Sequence, residues 1–218
     1  MSFEKFVKSR FMLCEGDDDK GFFEALTRSL DIEFQICHVA ELNKQNTGGV
    51  SAFGSSLKGI RITTGFRDVL KAVLLVANNH VAGESDKLIR NALFDSGFTP
   101  PVAQGCRGYM DEKPVVILTV PMGSPGGIET LVLPAIYDKW PEAERCVDAF
   151  LESTGANAWA KGKSLDKARA RAAIVGFHER DPYKGIGHLF RNGTLSLDHP
   201  CFDEIKQFLK DFDSLCSI

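Results

Sequence analysis

Two apolar runs constrain this chain more than any other feature. Val73-Leu74-Leu75-Val76-Ala77 and Val115-Val116-Ile117-Leu118-Thr119-Val120 show no apolar–polar alternation. A strand with one wet face alternates with period two, whereas an unbroken apolar run fits a strand covered on both faces, as in a parallel sheet. Parallel neighbours need crossovers, usually helices. Between the two runs, Glu84 to Asp95 places Leu88, Ile89, Ala92 and Leu93 at helical spacing. Upstream, Phe11-Met12-Leu13-Cys14 reads as a strand, followed by a stripe of Phe22, Phe23, Leu26 and Leu30 and a second strand over Phe34 to Val39. Asp17 or Asp18 can cap that first helix. The glycine- and serine-rich stretch from Asn43 to Gly59 predicts a loop and then a loose helix.

The run ending at Val120 opens into Pro121-Met122-Gly123-Ser124-Pro125-Gly126-Gly127. A helical stripe of Ile128, Leu131, Val132, Ala135 and Ile136 follows. Beyond Tyr137 only helical patterns remain: Ala143 to Leu151, Leu165 to Val175 and Phe202 to Phe212. The expectation is one α/β domain over 1–218, a mostly parallel sheet flanked by helices, with a helical C-terminal part over 138–218 packed on the core. Pro141 falls between two of these helices without requiring a domain boundary.

Composition bounds the function. The chain has 218 residues, 44% of them hydrophobic, enough for a core that needs no staples. The net charge of -3 argues against a protein that coats nucleic acid with its whole surface, though not against a local basic patch. No apolar run approaches the roughly 18 residues of a membrane span. Met1-Ser2-Phe3-Glu4-Lys5 lacks the pattern of a secretory signal, so a cytoplasmic protein without membrane partners is expected. Cys14, Cys37, Cys106, Cys146, Cys201 and Cys216 form no pair at metal-ligand spacing, and the five histidines are equally scattered. Gly162-Lys163-Ser164 ends like a phosphate-binding loop, but Asn157 stands where the upstream glycine is needed and no strand precedes it. There is no serine elbow.

In open α/β sheets, functional side chains gather beyond the carboxyl ends of the strands. Here those positions hold Glu15 and Asp19, then Asn78 and His80, then Glu129 beyond the glycine-rich loop. Carboxylates there can hold a hard cation or move a proton. Each also has a plain structural use: the aspartates as helix caps, Glu129 as a first-turn acid, and Asn78-Asn79-His80 as a polar turn.

The stretch Cys14-Glu15-Gly16-Asp17-Asp18-Asp19-Lys20, between strand and amphipathic helix, resembles the first motif of the Toprim fold shared by topoisomerases, primases and overcoming-lysogenization-defect type nucleases. Glu15, Gly16 and Asp19 match that motif. Its second motif, two aspartates one residue apart after a strand, falls on Asn78 and His80, so both carboxylates are replaced. The whole chain is also similar to a Toprim-like domain family of unknown function. The likeness rests on Gly126-Gly127-Ile128-Glu129-Thr130-Leu131, on Lys167 within Ser164-Leu165-Asp166-Lys167-Ala168-Arg169, and on Asp198-His199-Pro200-Cys201-Phe202.

The resemblance implies Glu15 and Asp19 as catalytic groups. It implies a Mg²⁺ or Mn²⁺ ion held by Glu15, Asp19, Asn78, His80 and Glu129. The replaced aspartates imply a weakened ion site, because Asn78 brings no charge and His80 suits softer ions. From Ala158 to Arg191, eight basic residues face three acidic ones, a local balance of +5. That makes Lys167, Arg169 and Arg171 candidates for phosphate contact, or one solvated helix face. Two functions follow. One is metal-dependent, nuclease-like phosphodiester chemistry, active or impaired. The other is a non-catalytic nucleic-acid- or nucleotide-binding or regulatory protein, with a protein partner, on the same scaffold.

Overall fold

The computed structural model describes residues 3–42, 48–177 and 185–215. In chain order the elements are β1 (Arg10–Cys14), α1 (Asp17–Ser29), β2 (Gln35–His38), α2 (Val39–Leu42), α3 (Phe53–Ile60), β3 (Ala72–Asn78), α4 (Glu84–Asp95), β4 (Gly108–Met110) and β5 (Lys113–Val120). Helices then follow: α5 (Ile128–Lys139), α6 (Ala143–Ser153), α7 (Ala156–Trp159), α8 (Lys163–Phe177), α9 (Ile186–Arg191) and α10 (Asp203–Leu215).

The five strands form one sheet in the order β2-β1-β3-β5-β4, parallel except for β4. Every residue of β3 is buried, which is why its sequence does not alternate. Its side chains still divide between two layers. Met12, Cys14, Leu74, Val76, Leu118 and Val120 join the core beneath α1, α5 and the C-terminal helices. Phe11, Leu13, Val73, Leu75 and Ile117 join the core beneath α3 and α4. Helices therefore cover both faces, with the C-terminal ones on the α1 side: Phe22 meets Phe190 and Phe202, and Phe34 stacks on Phe212. Among the described residues, no helix is long and apolar enough to cross a membrane.

Three local expectations need correction. The second strand ends at His38, and Val39 already begins α2. Gly16, not Asp17 or Asp18, is the N-cap of α1; Asp19 reaches back so that the Gly16 N–H donates to its Oδ2 at 2.9 Å. The antiparallel edge strand β4 has no counterpart in the sequence reading. It is three residues long with Tyr109 exposed, and it is made by pairing with β5 and by the bridge from Thr99 to Tyr109.

The strand order sets the site. The chain leaves β1 toward β2 on one side, while β3 lies on the other side of β1. The crossovers diverge there, and a crevice opens beyond the carboxyl ends of β1 and β3. Cys14 is in register with Val76, so Glu15 and Asn78 emerge at the same end.

Candidate functional site

Glu15, Asp19 and Asn78 meet in this crevice. The Asn78 backbone N–H donates to Glu15 Oε2 at 2.9 Å. Its side-chain Nδ2 donates to Glu15 Oε2 and to Asp19 Oδ2, each at 3.3 Å. Its Oδ1 accepts from the Ile128 N–H, at the start of α5, at 2.8 Å. These partners set the amide orientation: flipped, it would turn its oxygen to the Glu15 carboxylate and its NH₂ to the Ile128 N–H. Asn78 and Asp19 are buried. Burial pushes the Asp19 carboxyl up to about 8, with the Glu15 and then Glu129 charges adding and the Asn78 hydrogen bond opposing. Asp19 therefore holds a proton at neutral pH.

Glu129, also buried, approaches from the first turn of α5. A Cβ on Gly127 would stand 3.1 Å from Asn78 Oδ1 and 3.2 Å from Glu129 Oε2, with His80 at 3.3 Å. The glycine lets the loop approach the end of β3 closely. Asn79, expected from sequence only as part of a polar turn, positions that loop. Its Nδ2 donates to the Ser124 carbonyl at 2.8 Å, and its own carbonyl accepts from the Gly126 N–H at 2.8 Å.

A wall of α8 completes a cleft of about 490 Å³. Ser164, Lys167 and Arg171 line it, as their spacing of three and four along one helix face requires. Thr130 joins this wall to the glycine loop: its hydroxyl donates to Asp166 Oδ2 at 2.6 Å and accepts from the Gly127 N–H at 3.1 Å.

The three basic candidates differ in setting. Arg169 turns away to Asp148 on α6, at 3.0 Å. Arg171 pairs with Asp18 at 2.6 Å, and Asp18 also accepts from the Ile186 N–H at 2.8 Å, clasping α1, α8 and the start of α9. Lys167 is well exposed, and its Nζ lies 3.7 Å from Glu129 Oε1. Arg191 pairs with Glu24. Four of the eight basic residues in that segment thus meet acids from other elements. Arg180 and Lys184 lie outside the described residues. Sequence reading missed Asp18 and Ser164 as cleft residues; the helical phase of Lys167 and Arg171 was the available signal for Ser164.

The metal implied by the resemblance is a poor match to these groups. Among the described residues, no group of three or more His, Cys, Asp and Glu is placed to hold a metal ion. Asn78 presents its donors to the acids and commits its carbonyl to Ile128. Asp19 Oδ2 is taken by the Gly16 N–H and the Asn78 amide, and Glu129 faces an ammonium. A hard cation wants anionic oxygens, and this arrangement satisfies them from within.

Comparison of the chain with protein-family models, with curated proteins and with solved structures finds no match.

Proposed function

We propose that the chain is a Toprim-like protein whose crevice takes the phosphate of a nucleic acid or nucleotide, and whose metal-dependent phosphodiester chemistry is impaired. The observation that carries this reading is the Asn78 amide, set between Glu15 and Asp19 at the end of the neighbouring parallel strand. Glu15 and Asp19 stand where the first motif puts its acids. Asn78 and His80 stand where the second motif would put the aspartates that bind the ion. An amide there supplies hydrogen bonds and no charge, so it holds the two acids together without recruiting a cation. In this reading Glu15 is the group placed to move a proton, and the α8 wall faces the phosphate.

The test is calorimetric titration with MnCl₂ of the natural protein and of Asn78→Asp/His80→Asp, with a plasmid-nicking assay on both. The natural protein is expected to bind Mn²⁺ weakly and leave the plasmid intact, and the double variant to bind measurably. Tight binding and nicking by the natural protein would refute the impairment, and undetectable binding by both would remove the crevice as a latent ion site. The reading as a partner-binding protein gains if the natural protein binds no nucleic acid or nucleotide even at low salt.

A further inference from the structure

Each acid on the cleft floor already has a partner within the chain. Glu15 accepts two donors from Asn78. Asp19 accepts from Gly16 N–H and from the Asn78 amide. Glu129 has the Lys167 ammonium beside it, and Asp18 has the Arg171 guanidinium and the Ile186 N–H. Unpaired, Glu15, Asp18 and Glu129 would repel a phosphate entering the cleft. Metal-dependent sites solve that problem with an ion. Here the chain's own donors and cations do so.

The two cleft cations are not equivalent. Arg171 is held in short contact by Asp18, which is itself fixed by a backbone donor. Breaking that clasp would leave a half-buried carboxylate with one partner fewer. Lys167 is different. At 3.7 Å its contact with Glu129 is a charge contact too long for a good hydrogen bond, so it uses none of the three ammonium N–H donors. Its side chain is 62% exposed, on a long stem that can swing without disturbing the helix. It stands over the floor formed by Asn78 and Glu129, on the same helix face as the Ser164 hydroxyl.

We infer that the crevice binds its phosphate-bearing ligand without a divalent cation, the Lys167 ammonium being the positive charge that meets the phosphate. This rests on the phosphate-binding reading above and deepens it. Glu129 then acts as a positioning residue, keeping the ammonium over the cleft in the empty state and releasing it to the stronger anion. The Ser164 hydroxyl, one helical turn earlier, adds a donor to the same phosphate. No bond is made or broken in this step.

The experiment is equilibrium binding of a fluorescein-labelled, 5′-phosphorylated single-stranded DNA oligonucleotide at low salt, in excess EDTA and in excess MgCl₂. The variants are Lys167→Ala, Lys167→Arg and, as a control on the same helix, Arg169→Ala. The expected result is equal affinity in EDTA and in MgCl₂. Lys167→Ala should lose about tenfold in EDTA, the size of one charge-assisted contact. Lys167→Arg should keep most of the affinity, and Arg169→Ala all of it. Binding that appears only with MgCl₂ would overturn metal independence while leaving the phosphate-binding reading intact. An unchanged affinity in Lys167→Ala would overturn the role of that ammonium. No binding in either medium would overturn the phosphate-binding reading itself, and this inference with it. Circular dichroism melting of each variant checks that an exposed lysine was changed without loss of fold.

Discussion

Asp19→Asn should make the protein more stable at neutral pH, and the gain should vanish in acid. Asp19 is 4% exposed, and burial beside Glu15 and Glu129 lifts its carboxyl from 3.8 to about 8. The native state therefore keeps a proton that the unfolded chain gives up above about pH 4. Where the native state binds more protons, stability falls as pH rises. The slope is at most about 1.4 kcal/mol per pH unit for one proton, so between pH 5 and pH 7 the wild type should lose up to about 2.7 kcal/mol through this group. The loss ends above pH 8, where Asp19 is ionised in both states. The asparagine has no proton to lose. Its carbonyl can still accept from Gly16 N–H, so the cap of α1 survives. The assay is urea denaturation of both proteins at pH 5, 6 and 7, read by far-UV circular dichroism. Every other ionisable group is common to the two proteins, so the difference between the two curves isolates residue 19. It should widen toward pH 7 in favour of the variant, by up to about 2.7 kcal/mol of unfolding free energy between pH 5 and pH 7. Parallel curves would show that Asp19 is ionised throughout, and would refute the account of a neutral acid in the crevice.

Three further outcomes follow from the packing around the site. Gly187→Ala should destabilise the fold by about 2 kcal/mol or more, because a Cβ there runs into the Gly21 backbone where α9 crosses α1; an unchanged urea midpoint would contradict that close crossing. Asp18→Asn should cost about 1–3 kcal/mol in urea denaturation by breaking the charged contact that ties Arg171 to α1, and an unchanged midpoint would contradict that clasp. Thr130→Val should remove both the Asp166 and the Gly127 hydrogen bonds at nearly constant volume; about 1–2 kcal/mol in thermal melts is expected, and Thr130→Ser should restore most of it.

The crossover pattern was legible in the residues because the runs at Val73–Ala77 and Val115–Val120 have no wet face, and only a sheet covered on both sides accepts them. The carboxyl ends of the runs at Phe11–Cys14 and Val73–Ala77 fell on Glu15 and Asn78, and the parallel register of β1 and β3 brings the two side chains into one crevice. Local pattern did less well where partners are distant. Three residues of β4 carry no apolar run and become a strand only because β5 offers them an edge. Val39 extends an apolar stretch yet turns into α2.

Charge was read least well from sequence, since a count over neighbours in the chain ignores neighbours in space. Lys167, Arg169 and Arg171 are near-adjacent in an excess of five positive charges, yet each meets an acid from a different helix: Glu129 on α5, Asp148 on α6 and Asp18 on α1. Residue identity already stated that Asn78 and His80 bring no carboxylate to the end of β3. That the Asn78 amide would then point its two hydrogens at Glu15 and Asp19 depended on the Ile128 N–H claiming its oxygen. That donor lies 50 residues further along the chain, and only the packing of α5 against the sheet delivers it.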